Sequence, residues 1–228
     1  MDTNLDFQKK KYSRWSMDLR ESRLTKVSEL MEKLKPGKML DLACSGGEFS
    51  SQFLELGWQV YGLDISSAKV REATRLGLQA RIWNLEKKLP FKDRYFDLVF
   101  MGEIIEHLID TTFFLREAHR VLKKGGRLIL TTPNLASLEN RLRLLIGMQP
   151  LWVDFKMEDM SGHIRAYTWG ELKKQLEESG FKIEKFLGNF VPLWQLRFND
   201  ITVSWLAKTG YWFPGMSQGM IVQAVKTE

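Results

Sequence analysis

KMLDLACSGGEFS, residues Lys38–Ser50, runs an apolar segment straight into a turn of small residues. The run Lys38–Ala43 predicts a strand. The turn after it has small side chains, which let a ligand come close to the main chain. Glu48–Leu56 predicts a helix closed by Gly57, and its first turn offers free N–H groups. Outward from this unit the pattern repeats. Gln59–Leu63 predicts a second strand, with Asp64 at its end, and Ser66 or Ser67 caps a helix to about Leu76, before Gly77. Arg81–Asn84 predicts a third strand. Asp97–Met101 is apolar after its Asp, as expected of a strand buried on both faces. Thr111–Leu122 predicts a helix, Arg127–Thr132 a fifth strand stopped by Pro133, and Thr168–Ser179 a helix. Phe181–Leu187 and Met220–Val225 predict the last two strands.

Upstream, residues 17–35 predict a helix: Leu19, Leu24, Val27, Leu30, Met31 and Leu34 have helical spacing, and Pro36-Gly37 ends it. Strands separated by helices form right-handed crossovers, so the first five are parallel. Between the sixth and seventh, Gly188–Gly219 shows no clear crossover helix until Leu196–Lys208. A hairpin carrying an insertion is one reading of that spacing. The expected fold is therefore α/β and Rossmann-like, a seven-stranded, mostly parallel sheet with helices on both faces. One domain is expected over residues 1–228, with a helical arm over 1–35 and inserts at about 135–160 and 189–215.

Asp64 follows Asp41 by 23 residues. A carboxylate at the end of a second strand can accept both hydroxyls of a ribose. Two cofactor classes fit so far. A dinucleotide needs G-x-G-x-x-G with its pyrophosphate on the helix N-terminus. Here the turn reads Ala43-Cys44-Ser45-Gly46-Gly47-Glu48, with an acid where the last glycine belongs. An acid-rich site repels pyrophosphate and suits a cation, and S-adenosylmethionine carries a sulfonium and an ammonium.

Leu40-Asp41-Leu42-Ala43-Cys44-Ser45-Gly46-Gly47 resembles the L-D-x-G-C-G-x-G motif of class I methyltransferases of the "type 11" group. Ala43 and Ser45 stand where that motif has glycine, and a positive φ at Ser45 would cost something. The stretch Leu89-Pro90-Phe91 to Tyr95-Phe96-Asp97-Leu98-Val99 is similar to the family's L-P-F…F-D-x-V run. Leu122-Lys123-Lys124-Gly125-Gly126 is similar to its L-K-P-G-G run, with Lys124 in place of Pro. The resemblance spans about residues 36–187. It implies S-adenosyl-L-methionine as cofactor and S-adenosyl-L-homocysteine as product. The implied cofactor site comprises Asp41, Leu42, Ala43, Ser45 and Gly47, then Asp64 and Ile65, Asn84 and Leu85, and Met101 and Glu103. Asn84 stands for the group that reads the adenine amino group.

After the fourth strand comes Met101-Gly102-Glu103-Ile104-Ile105-Glu106-His107. A helix starting near Gly102 would put Glu103, Glu106 and His107 on one face. His107 could then act as general base for an acceptor hydroxyl, oriented by Glu103 or Glu106. Alternatively Glu103, Glu106 and His107 bind a divalent cation, Mg being the candidate, that lowers the hydroxyl pKa. A third reading is a mere helix turn beside the cofactor. The E-x-x-E-H string resembles both metal-dependent small-RNA 2′-O-methyltransferases and ubiquinone-pathway O-methyltransferases. The RNA enzymes use a further histidine, for which His163 is the candidate, although Gly162–Thr168 reads more like the H-x-R-x-Y-T start of a helix in small-molecule members. His119 reads as a surface residue. Tyr12, Arg14 and Trp15 are candidates for a lid.

The chain carries +6 net charge with pI near 9.3, 44% hydrophobic and 27% charged residues. Its basic residues are mixed with acids, so nucleic acid is permitted as a partner but not favoured. A lone Cys44 excludes an internal disulfide and a Cys-rich zinc site. With no apolar leader and no stretch of ~20 apolar residues, a cytoplasmic setting is expected. The inserts carry Arg141, Arg143, Leu144, Leu145, Trp152, Trp194, Trp205, Trp212 and Phe213. They could line a pocket for an aromatic or lipid-like acceptor, touch a membrane peripherally, or form a local core or dimer face. A small-molecule acceptor methylated at oxygen is the leading expectation. RNA methylation and a catalytically silent cofactor-binding fold-mate are the alternatives, and composition does not reveal an oligomeric state.

Overall fold

The structure, a computed structural model, describes residues 22–153, 163–192 and 200–227. Seven strands form one sheet: β1 (Lys38–Leu42), β2 (Gln59–Asp64), β3 (Gln79–Ile82), β4 (Phe96–Gly102), β5 (Leu122–Pro133), β6 (Phe181–Gly188) and β7 (Gly219–Lys226). Their order is β3-β2-β1-β4-β5-β7-β6. β1 to β5 are parallel, while β7 runs antiparallel to both β5 and β6. The expected hairpin with an insertion is thus present. The strand order reverses between β1 and β4, and in open α/β sheets ligands bind beyond the carboxyl ends of the strands at that switch.

Helices α1 (Ser22–Met31), α2 (Ser67–Arg75), α3 (Thr111–Val121), α4 (Leu138–Leu145), α5 (Trp169–Glu178) and α6 (Asp200–Trp212) complete the frame. Four of them have the side-chain caps that the backbone donors of a first turn require. Ser66, Asp110, Ser137 and Thr168 accept from the N–H three residues on. Alternation along the strands builds two cores. Leu40, Leu42, Val99 and Met101 face one layer with Leu115 of α3 and Leu172 of α5. Met39, Leu98 and Phe100 face the other with Val27 and Met31 of α1.

Three expected boundaries move. Glu48–Leu56 is not an α-helix: only Ser50–Phe53 coils, as a 3₁₀ turn. The chain must bury both Phe53 and Trp58 and reach β2 at Gln59, and i→i+3 bonds at Leu54, Leu56 and Gly57 tighten it accordingly. β3 starts earlier, at Gln79, because Tyr61 of β2 pairs there, which leaves Asn84 beyond the strand. β5 starts at Leu122, before the Gly125-Gly126 pair, where it meets Phe96 ahead of a register shift. The arm expected over 1–35 is described only from Ser22, so Leu19 and the lid candidates Tyr12, Arg14 and Trp15 lie outside the described residues, as does Trp194. Among the described residues no helix is long and apolar enough to cross a membrane.

Candidate active site

The carboxyl end of β1 delivers Asp41, and its neighbours explain its state. Asp41 is buried and its carboxylate accepts from the Ser50 hydroxyl. Burial, helped by Asp64 nearby, pushes its pKa up to about 7 despite that bond. Leu42 and Met101 are fully buried partners across the β1–β4 ladder. Any ligand contact they make is therefore through the main chain.

The turn itself holds two non-glycine residues in the left-handed region, Ala43 at φ 64° and Ser45 at φ 48°. Both occupy motif positions that resemble glycine sites, so the concern about Ser45 applies to Ala43 as well. Gly47, at φ 80°, has no such freedom to change: a Cβ there would meet the Ala73 backbone and side chain of α2 at 3.0 Å. α2 therefore packs directly on the turn.

Asp64 takes two main-chain donors, Ser45 N–H at 2.9 Å and Ser66 N–H at 2.8 Å. A carboxylate has about four lone-pair sites, so two remain for ribose hydroxyls. These bonds also hold the turn beside β2. Ile65 next to it is an exposed apolar side chain, 73% accessible, the kind of flat cover an adenine ring uses. The Asn84 carbonyl accepts from Glu86 N–H at 2.9 Å, and Glu86 in turn accepts from Ile109 N–H at 2.8 Å. Leu85 between them is buried. The expected cofactor residues thus gather at the carboxyl ends of β1, β2, β3 and β4.

At the end of β4 the local geometry differs from expectation. No α-helix begins at Gly102. Glu103 sits at φ 52°, and only Ile105–His107 forms a 3₁₀ turn. Glu103 N–H donates to Thr131 O, which keeps the chain against β5 and prevents helical winding. Its side chain meets Arg23 of α1 at 3.0 Å, and Arg23 also donates to the Thr131 hydroxyl at 2.9 Å. Glu103 is consequently not a member of the three-residue cluster that forms here.

That cluster is Glu106, His107 and His163, whose ligand atoms all lie within 4.8 Å of one another. Glu106 is 1% exposed and accepts from the Thr132 hydroxyl at 2.9 Å. Burial first, and Glu103 second, raise its pKa well above the carboxylate range. Its other oxygen faces His163 Nε2 at 3.9 Å. The His107 and His163 rings meet edge to face, centroids 4.8 Å apart, and Trp152 lies 5.8 Å from His163. Segment 163–167 is pinned by Ile164 N–H to Glu106 O, by Arg165 to Ile109 O and by a bridge between Asn134 and Tyr167. His163 therefore joins the site rather than only opening α5, whose cap is Thr168. Two imidazoles and one carboxylate fit a borderline transition ion better than Mg, which favours oxygen donors.

Sequence reasoning missed Arg23, Ser50 and Thr132. Each acts through a neighbour distant in sequence, and a lone Arg, Ser or Thr carries no motif. His119, expected at the surface, is half-buried. Its ring packs edge to face on Phe181 at 5.3 Å and against Gly180, and burial lowers its pKa.

Comparison with known proteins agrees with this architecture. Residues 40–130 match the family model described as "Methyltransferase domain". The ubiquinone biosynthesis O-methyltransferase of Pelagibacter ubique (strain HTCC1062) is 26% identical over 191 residues, covering 80% of this chain and 78% of that one. The enzyme of the same description from Xanthomonas oryzae pv. oryzae (strain PXO99A) is 34% identical over 118 residues, about half of either chain, with 49% covered in each. Among solved structures, a SAM-dependent methyltransferase from Thermotoga maritima superposes with a TM-score of 0.64 at 22% identity, covering 100% of both chains. A Rossmann-like sheet with Asp64 and a small-residue turn at the switch point, together with these matches, makes this chain similar to class I S-adenosylmethionine-dependent methyltransferases in both fold and sequence.

Proposed function

We propose that the protein transfers the methyl group of S-adenosylmethionine to a hydroxyl of a small-molecule acceptor. The observation that carries this reading is the cluster of Glu106, His107 and His163 at the carboxyl end of β4, on the same pole of the sheet as the cofactor turn. In the step, an acceptor oxygen attacks the methyl carbon in line. The O–CH₃ bond forms as the S–CH₃ bond breaks, the electron pair goes to sulfur, and S-adenosylhomocysteine leaves. A histidine of the cluster takes the hydroxyl proton. A phenol ionises near ~10, so a base raises the nucleophilic fraction at neutral pH. Alignment does the rest, and it can supply ~7–11 kcal/mol of the barrier.

The donor set favours a second reading of the same cluster. Two imidazole nitrogens and a carboxylate could hold a divalent transition ion, which would lower the hydroxyl pKa when bound. On and after α4, Leu144, Leu145 and Ile146 form an exposed apolar patch. A lipid-like acceptor or a peripheral membrane contact would use it.

Methyl transfer from labelled cofactor, screened across phenols, glycans, lipids and RNA with and without chelator, tests these readings. A hydroxylated small molecule should be methylated, and His107→Ala and His163→Ala should each lower kcat by ~10²–10⁴ with little change in cofactor affinity. Transfer only to RNA or only to nitrogen would sink the acceptor assignment. Turnover indifferent to both histidines would sink the base, and turnover indifferent to chelator would sink the metal.

A further inference from the structure

Seventeen large apolar side chains are exposed among the described residues, and twelve of them lie on two short stretches, 142–153 and 205–216. Single exposed apolar residues are ordinary, whereas apolar surface concentrated in this way marks an interaction face. The first stretch follows β5 and the second precedes β7, strands that pair antiparallel with Pro133 opposite Gly219. Asn134 ties their roots, its side-chain amide donating to the carbonyls of Gly215 and Ser217 at 3.1 and 2.8 Å. Both stretches therefore leave the sheet at its carboxyl pole, the pole of the cofactor turn.

The first stretch is held in its exposed position. α4 buries a single side chain, and that side chain is the polar Asn140. The Asn140 carbonyl accepts from Leu151 N–H at 2.7 Å, and its amide donates to Leu151 O at 3.5 Å. Residues 141–150 are thus an excursion closed at a polar base, with Leu144, Leu145 and Ile146 facing water and Leu145 81% accessible. That is the reverse of a surface helix in water, which turns its apolar stripe inward. On the second stretch Trp205 and Trp212 of α6 meet edge to face at 6.4 Å, and Phe213 and Met216 are exposed after them. Charge selects the partner. The two stretches with the first turn of α4 hold Arg141, Arg143 and Lys208 against Glu139 alone, and Glu139 is taken by Arg143 at 3.1 Å. Arg141 donates Nε–H to the Ala136 carbonyl at 2.7 Å, and neither it nor Lys208 meets a carboxylate among the described residues.

We infer that this pole docks on an anionic lipid bilayer. Leu144, Leu145 and Ile146 enter the acyl boundary, Trp205 and Trp212 lie at headgroup depth, and Arg141 and Lys208 meet lipid phosphates. An apolar excursion needs a matching groove on a protein partner, whereas a fluid bilayer moulds around it. Among the described residues no helix is long and apolar enough to span, so the contact is peripheral. The docking itself needs neither cofactor nor acceptor; together with the methyl-transfer reading, on which this one further step rests, it would present the acceptor site to a lipid-borne hydroxyl.

Flotation of the full chain with vesicles tests the assignment without any turnover, so its outcome is independent of the methyl-transfer assay. The vesicles are phosphatidylcholine alone or with about 30% phosphatidylglycerol, which supplies an anionic surface. The chain should float with the anionic vesicles and far less with the neutral ones. Leu144→Ser with Leu145→Ser, and separately Trp212→Ser with Phe213→Ser, should each weaken partitioning roughly tenfold or more. Arg141→Gln with Lys208→Gln should remove most of the preference for phosphatidylglycerol. All six side chains lie at the surface, and circular-dichroism melts check that each variant folds. The proposal is overturned by no flotation with anionic vesicles, by equal binding to neutral ones, or by binding that both apolar pairs leave unchanged. It is also overturned by a stable dimer in sedimentation that the apolar pairs dissociate, since a second copy would then cover the face.

Discussion

Backbone strain at single residues marks the cofactor pole. Ala43, Ser45 and Glu103 all hold positive φ, and each β-carbon pays roughly 1 kcal/mol for that conformation. Ala43→Gly and Ser45→Gly should each therefore stabilise the ligand-free protein by about 0.5–1 kcal/mol, part of the relief being offset by the extra freedom glycine gives the unfolded chain. Thermal melts check this; a lower melting temperature in both variants would show that the side chains support the turn in a way their φ values conceal. Gly47→Ala should do the opposite. Its Cβ would meet the Ala73 backbone at 3.0 Å, so S-adenosylhomocysteine binding should weaken by tenfold or more, about 1.4 kcal/mol, in calorimetric titration. These positions were partly legible beforehand. The small-residue turn and Asp64 carry their own chemistry in adjacent positions, whereas Glu103 was misplaced because its helical spacing gave no sign of the Thr131 and Arg23 contacts that hold it.

Elements are tied by a few buried polar side chains, of which Lys26 on α1 is the clearest. It is 2% exposed, and its ammonium donates to the carbonyls of Gly188 and Asn189 at the end of β6 and of Ala207 in α6, each at 2.6 Å. Tyr211 of α6 covers it at 4.2 Å and bonds Glu29 of α1. Three residues earlier, Arg23 reaches β4 and β5. α1 is thus a strut between the methyl-transfer pole and the insertion before β7. Lys26→Met should cost about 2–4 kcal/mol, since burial leaves carbonyls without a donor. Denaturant titration reads the loss, and hydrogen exchange should show α6 opening before the central strands. Stability unchanged within about 0.5 kcal/mol would mean that water replaces the ammonium. None of this was legible in the sequence, where Lys26 reads as an ordinary polar position of an amphipathic helix. Its partners lie 162, 163 and 181 residues away.

For the whole molecule, buried Asp41 links stability and ligand binding to pH. Its folded pKa is raised to about 7 from 3.8, so its stabilising contribution is complete below the unfolded value and is lost as pH rises through the folded one. The ligand-free protein should lose stability between about pH 4 and 7 from this group, by up to roughly 4 kcal/mol at 1.36 kcal/mol per unit. Asp41→Asn should flatten that slope in melts taken across the range; an identical slope in the variant would assign it elsewhere. A cationic ligand favours the carboxylate, so S-adenosylmethionine binding should release protons near pH 6.5, a quantity read by calorimetry in buffers of different ionisation heat. The succession of strands and helices, the parallel direction of β1 to β5 and the small-residue turn that leads out of β1 were determined by the sequence itself, because period, capping and turn chemistry are local. Tertiary structure alone decided that the segment after β4 is no α-helix, that His163 rather than Glu103 joins Glu106 and His107, and that Arg23 and Lys26 brace the site. Those outcomes depend on contacts between residues tens to hundreds of positions apart, which only packing against the completed sheet brings together.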